Sequence, residues 1–326
     1  MLENILHNKS CFKLVCGAGN EDAIEVEKLV ALYSLAGANY FDLSARVDVV
    51  EAAWRGLRRV IPENQISNYF LNVSVGIKGD PHVSKALINP ETCIACGICH
   101  KTCVNKAVFV QEDGLYTINN TRCIGCGACI RECPVTAVSA HSENTPLDEV
   151  LPPLVALGIH SIELHAVSLD EEGIMNQWKA INKYFDGILS VCVDRSVLGD
   201  VQLINRIQRL IEGRKEFTTI VQADGAPMSG CDDRAETTLQ AIATAHIVQK
   251  AKLPVFLMLS GGTNSKTAEL AKQFNIQANG VALGSYARII VREYIDRDDF
   301  FDNREVFEKA LAIAKDLVYK NMKYMG

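Results

Sequence analysis

Apolar and polar positions along this chain follow two rhythms. Short runs with a period of two are each followed by longer stretches whose apolar positions recur every three or four residues. FKLVCGAG (12–19) precedes IEVEKLVALYSLAG, and NYFDLSA (39–45) precedes VDVVEAAWRGLRRV. YFLNVSVG (69–76) is parted from its helical run, PLDEVLPPLVALG, by a cysteine-rich stretch. SIELHAV (161–167), GILSVCVDR (187–195), FTTIVQADG (217–225), PVFLMLSGG (254–262) and GVALGSY (280–286) complete the series, with a final helix at 303–321. Eight strand–helix units in tandem predict an α/β fold, a (β/α)8 TIM-like barrel, with an open α/β sheet as the alternative. Without the interruption 266 of the 326 residues remain, close to the roughly 250 such a barrel needs. The expected organisation is 1–81, two βα units and strand three; 82–141, an inserted module; and 142–326, the rest of the barrel.

Alternation also says which side chains point inward near the C-terminal strand ends, where barrel sites form. They are Asp42 and Ser44, Asn72 and Ser74, Glu163 and His165, Ser190, Cys192 and Asp194, and Thr218, Gln222 and Asp224. Glu163, His165, Asp194 and Asp224 are the candidate catalytic, proton-handling groups. The competing role for each is to satisfy its neighbours or cap a helix. SGGTN (260–264) and LGSY (283–286) end strands seven and eight. Glycine-rich turns opening onto helix N-termini there suit an anion. Ser260, Gly261, Gly262, Thr263, Asn264, Gly284 and Ser285 are therefore candidate cofactor-binding residues. The loop QADGAPMSGCDD (222–233) is a candidate ligand clamp.

The interruption carries eight of the twelve cysteines. Cys93, Cys96, Cys99 and Cys103, then Cys123, Cys126, Cys129 and Cys133, repeat C-x2-C-x2-C-x3-C, a run used by bacterial ferredoxins. Three closely spaced thiolates can wrap one cubane, and the fourth crosses to the other. The expected ligand sets are Cys93, Cys96, Cys99 and Cys133 for one [4Fe–4S] cluster, and Cys123, Cys126, Cys129 and Cys103 for the second. Zinc, the rival, takes four ligands and would leave a cysteine of each run spare. Residues 82–141 resemble the two-[4Fe–4S] ferredoxin family, except that Val104 stands where Pro134 follows the second run. AVFVQEDGLYTIN between the runs predicts a hairpin turning at Asp113-Gly114. Cys11, Cys16 and Cys192 fall in strands and read as small buried hydrophobes.

The net charge of −6 argues against nucleic acid as a partner. No stretch reaches eighteen apolar residues, and MLENILHNKSCFKLVCGAGNED lacks the order of a signal peptide, so a cytoplasmic protein is expected. Residues 83–141 have five Lys or Arg against four Asp or Glu, about +1, so the negative charge lies outside the module. The acidic stretch EYIDRDDFFDNRE (293–305) reads as a solvated helix junction.

Taken in order, CFKLVCGAG, LAGANYFDLSA, the paired cysteine runs, QADGAPMSG and LSGGTN resemble the LdpA family. These are iron–sulfur proteins with a ferredoxin module and a dedicated C-terminal region, associated with redox input to the circadian clock. The resemblance implies two [4Fe–4S] clusters and redox sensing or electron transfer. It supplies no ligands beyond the eight cysteines. Two functions compete. One is an oxidoreductase that passes electrons from an external donor to a small ligand at the barrel mouth, where FMN or another phosphate-bearing ligand is the candidate cofactor. FMN rests on a likeness of architecture to flavin barrels with ferredoxin modules, as in the dihydropyrimidine dehydrogenase type. The other is a redox sensor or adaptor whose barrel is a scaffold.

Overall fold

The computed structural model describes residues 1–17, 19–76, 84–142, 146–196, 198–225 and 234–325. A short helix α1 (Leu2–His7) leads into β1 (Cys11–Val15), α2 (Ala23–Ala36), β2 (Tyr40–Ser44), α3 (Val47–Val60) and β3 (Phe70–Val75). Then come β4 (Ser84–Ile88), α4 (Ile98–Thr102), β5 (Val108–Val110), β6 (Tyr116–Ile118), α5 (Ala128–Arg131) and β7 (Val138–Ser142). The chain returns through α6 (Leu147–Ala156), β8 (Ser161–His165), α7 (Glu171–Tyr184), β9 (Ile188–Val193), α8 (Asp200–Ile211) and β10 (Thr219–Asp224). It ends with α9 (Ala235–Ala251), β11 (Phe256–Ser260), α10 (Thr267–Gln273), β12 (Gly280–Leu283), α11 (Ser285–Ile289), α12 (Arg292–Ile295) and α13 (Arg304–Met322).

Eight parallel strands close in the order β1-β12-β11-β10-β9-β8-β3-β2, so the barrel, not the open sheet, is the architecture. The outward faces, such as Ile162 and Leu164 on β8 and Val221 and Ala223 on β10, join one apolar core with the helices. A second apolar cluster fills the lower interior, where α1 contributes Leu2 and Leu6 against Cys11, Tyr40, Phe70, Ile220 and Phe256. Water is thus kept from the lower barrel, and the inward polar residues stack above an apolar plug. Thr218 does not join that stack. β10 begins one residue later, and the Thr218 hydroxyl donates to Lys215 O at 2.6 Å in the loop beneath it.

Between β3 and α6, β4 pairs antiparallel with β7, and β5 with β6. The β5–β6 hairpin turns where the sequence places it, with Gly114 at φ +82°. The cysteine repeat is also a backbone repeat. Ala95 and Gly125, Gly97 and Gly127, and Lys106 and Thr136 are matched positions, all with positive φ. Such a conformation costs a non-glycine residue energy and persists only where its surroundings fix it.

This module is bolted to the rim beside β1 and α2. Glu21 N donates to Thr121 O at 2.7 Å. Lys85 Nζ donates to Gly19 O at 2.5 Å and to Cys123 O at 2.9 Å. Arg122 pairs with Asp22 at 3.2 Å, with Glu25 at 3.3 Å, and with Asp296, which also takes Lys106 at 2.8 Å. Asp296 belongs to the stretch read as a solvated junction. That reading is corrected here: this acidic residue is an internal joint, because two cations of the module lie against it.

Burial would raise the carboxyls of Glu25 and Asp296, but the cations around them outweigh it and hold both below the usual range. A depressed carboxylate contributes stability above its ordinary pKa, near 4, and loses it as pH falls through the folded value. Protection from hydrogen exchange, relative to the unfolded chain at the same pH, should therefore be high at the joint at pH 7 and be lost there first in acid. Arg122→Ala should cost about 1–3 kcal/mol in denaturant unfolding at pH 7. That is less than a sealed pair would cost, because Arg122 keeps 20% of its side chain in water.

Candidate functional site

The site is built from the middle layer of the barrel upward. Lys13 sits mid-strand in β1, among apolar neighbours, and points inward. Its ammonium lies 2.7 Å from Glu163 Oε2, 3.6 Å from Asp42 Oδ1 and 3.0 Å from Gln222 Oε1, fully buried. Glu163 also accepts from Ser190 Oγ at 2.7 Å and Gln222 Nε2 at 2.8 Å. His165 Nε2 stands 3.5 Å from its other oxygen. Asp42 accepts from Ser74 Oγ at 2.6 Å and from Asn72 Nδ2. Register makes this possible, because Ser74 lies opposite Glu163 and Glu163 opposite Ser190 on adjoining strands.

The charges divide unequally. Burial alone would lower the Lys13 pKa, but the carboxylates of Asp42 and Glu163 outweigh it and hold the ammonium charged. Burial would raise Glu163, but Lys13 and His165 keep it far below the usual carboxylate range. Asp42 is pushed up, first by burial and further by Glu163, with Lys13 only partly offsetting this.

Above this layer opens a small cavity, with about 90 Å³ of space for water-sized centres. Asp42, Glu163, His165, Cys192, Gln222 and Asp224 line its depth. Ser260, Gly261, Gly262, Thr263, Gly284 and Ser285 form one side. Gly261 and Gly262 have φ of +67° and +73°, and a Cβ on Gly261 would stand 2.7 Å from Gly225 N. Glycine is therefore required where this turn meets the end of β10.

Two sequence candidates fall elsewhere. Asp194 follows β9 and accepts from Ser196 N and Oγ, outside the cavity lining. Asn264 faces the helices, donating to Arg234 O and receiving Lys266 N. That Asx turn separates the 260–264 turn from α10, so only the β12 turn opens directly onto a helix, the five-residue α11. Cys192 is buried but is not simply a small hydrophobe. Its thiol donates to Asp224 Oδ2 at 2.6 Å, and burial, then Asp224, push its pKa well up. Residues 226–233 of the expected clamp, including Cys231, lie outside the described residues.

Sequence reasoning missed three wall or floor residues. Lys13 was legible as a charge in an apolar strand. Arg288 in α11, buried and donating to Cys16 O at 2.9 Å, had no periodic signal. Ile124 comes from the cysteine module itself, between Cys123 and Gly125, and reaches the cavity wall.

The eight repeat cysteines gather around two hollows. One is lined by Cys93, Cys96, Cys99 and Cys133, the other by Cys103, Cys123, Cys126 and Cys129. The last cysteine of each run thus stands with the first three of the other. Backbone N–H groups of Ala86, Ala107 and Ala137 point at the sulfurs of Cys123, Cys103 and Cys133 at 3.2–3.3 Å. Such donors suit thiolates that carry cluster charge. Cys103 and Cys133 receive matched bonds, so Val104 in place of proline leaves that contact intact.

A 4Fe-4S dicluster domain matches residues 86–140, and the light dependent period A C-terminal domain matches residues 154–320, just over half the chain. The chain belongs to the light dependent period A (LdpA) family. It is an iron–sulfur protein of the LdpA type. Light dependent period A of Synechococcus elongatus is 29% identical over 299 residues, 87% of this chain and 82% of the relative. Among solved structures, tryptophan synthase from Mycobacterium tuberculosis is 12% identical over 100% of this chain and 97% of its own, with a TM-score of 0.48. A truncated 3-deoxy-D-arabino-heptulosonate 7-phosphate synthase from Thermotoga maritima is 10% identical over 96% and 85%, with a TM-score of 0.45. Neither likeness carries chemistry to this LdpA-family chain.

Lys13→Met would leave the buried Glu163 carboxylate, beside Asp42, without its ammonium. It should destabilise the protein by about 3–5 kcal/mol in denaturant unfolding. Adding Glu163→Gln should recover part of that loss, because the stranded charge goes with it.

Proposed function

We propose that this LdpA-family protein holds two [4Fe–4S] clusters and serves as an oxidoreductase, moving electrons between an external carrier and a small ligand in the barrel mouth. The observation that carries this reading is Ile124. One residue from Cys123, it forms part of the wall that Glu163, His165 and Asp224 also line. Cys93, Cys96, Cys99 and Cys133 would hold the outer cluster, and Cys103, Cys123, Cys126 and Cys129 the one beside the cavity. When bound, the clusters supply one-electron transfer.

The protein's own groups do the rest. The outer hollow opens to solvent at exposed Cys96, with Ile94, Ile98 and Val135 as an apolar collar where an external carrier can approach. Glu163, His165 and Asp224 stand in the cavity wall to hold or move protons. The 260–263 and 284–285 turns, with Arg288 beside them, would take an anionic group such as the phosphate of FMN or another phosphate-bearing ligand. Asp194 and Asn264 have no direct part in this scheme.

The relative's name, light dependent period A, favours a second reading. In it the module reports redox state and the barrel is a scaffold.

Anaerobically prepared protein should contain about eight irons per chain, four for each cluster. Half that number sinks the two-cluster assignment. Reduced protein mixed with FMN as the probe acceptor should reoxidise at least tenfold more slowly when Ser285→Trp fills the mouth, with unchanged iron content. Equal rates would show that electrons leave without using the cavity, as the sensor reading expects.

A further inference from the structure

The floor of the cavity holds more acid than base. Asp42 and Glu163 face one ammonium, Lys13, and all three side chains are at most 2% exposed. Two carboxylates and one ammonium leave a net negative charge, and an uncompensated charge out of water is strongly disfavoured. Uptake of a proton by the group removes that cost. The neighbours do not supply a fixed cation instead. Tyr40 packs its ring 5.1 Å from Lys13 Nζ. Cys192 and Asp224 are bonded to one another farther along the wall. Arg288 stands at the rim against Cys16 O. His165 adds a charge only by taking the proton itself.

Building on the reading that electrons reach a ligand in this cavity, we infer that Lys13, Asp42, Glu163 and His165 store one mobile proton, held on Asp42 at rest and passed to the ligand as it is reduced. Asp42 is the holder because the charged donor sits on Glu163, while Asp42's own close donors, Ser74 and Asn72, are neutral. Lys13, Ser190 and Gln222 all lie within 2.8 Å of the Glu163 carboxylate and favour its ionised form. Asp42 is 3.6 Å from the ammonium. The direction in which burial and Glu163 push Asp42 agrees with this.

The path out is short. Asp42 Oδ1 is 2.6 Å from Ser74 Oγ, and Ser74 Oγ is 3.4 Å from Glu163 Oε1. Glu163 Oε1 is 3.5 Å from His165 Nε2, and Asp42, Glu163 and His165 all line the cavity. An external carrier protein is oxidised and the ligand gains its electron through the module. The Asp42 O–H bond breaks, its proton hops by way of Ser74, and a new bond to hydrogen forms on the ligand. Water at the mouth then reprotonates Asp42. The store therefore suits an acceptor that gains hydrogen with its electron, such as a quinone- or flavin-type ring, rather than one that takes an electron alone.

Infrared absorption of the oxidised, ligand-free holoprotein at pH 7 tests the store without any electron transfer, because only a neutral carboxyl has the acid C=O stretch. The expected band shifts on 13C-aspartate labelling, disappears in Asp42→Asn and survives in Asp194→Asn. No such band in the wild type overturns the store, and so does one that shifts only with 13C-glutamate. Both are read on wild-type protein, so they hold even where Asp42→Asn does not fold. Delivery is tested by the reduction-induced difference spectrum with FMN as the probe. A trough at the Asp42 band supports it, and reduced flavin with no trough overturns it. Flavin that stays oxidised while the Asp42 band is present means that the relay reading has failed, and delivery with it, while the store stands.

Discussion

A lysine ammonium sealed inside a barrel dictates what can surround it. Lys13 has no water to solvate it, so it survives only because Asp42 and Glu163 are brought against it. Those carboxylates carry oxygens of their own to satisfy, and Ser74, Asn72, Ser190 and Gln222 provide the donors. One inward charge on β1 thus accounts for a polar layer spread over five neighbouring strands. The apolar plug of α1, Tyr40, Phe70 and Phe256 beneath it keeps the layer dry, which strengthens each interaction within it.

The second constraint acts at the rim. The cysteine module is nearly neutral while the barrel is acidic, and three of the module's five Lys and Arg residues are spent on the joint. Arg122 and Lys106 meet Asp296, and Lys85 holds the backbone on both sides at Gly19 and Cys123. A free electron carrier would keep such charges for a partner. Here they fix the Cys123 loop so that Ile124 becomes part of the cavity wall. The hollow lined by Cys103, Cys123, Cys126 and Cys129 is therefore the one next to the ligand space, and the other remains beside solvent at Cys96. The two halves of the repeat are alike in backbone and differ in what they touch.

The barrel itself says little about chemistry, because such folds host many unrelated reactions. What distinguishes this one is the pairing of a buried, ionisable floor with an iron–sulfur module at its lip. Gly261 is required for a local reason, its close approach to Gly225. The expected helix N-terminus behind its turn is displaced by the Asx turn of Asn264.

Much of this was legible in the sequence. Period-two and helical rhythms gave the eight strands to within a few residues, because those periods follow from backbone geometry alone. The cysteine spacing carried its own chemistry. Alternation placed Glu163, His165 and Asp224 on the inward faces. The same rule overreached at Thr218, which lies just before its strand, and at Asp194, which bonds the chain ahead of it. Lys13 was visible but unread, since a charge inside an apolar strand has meaning only once its partners are known. Glu163 is 150 residues away from it. Arg288, Asp296 and Ile124 had no sequence signal at all, since each acts through a neighbour brought close by the closing of the barrel or the docking of the module. Local periodicity and ligand spacing are written in the chain; which charges end up face to face, and which hollow lies beside the cavity, are decided only when distant segments meet.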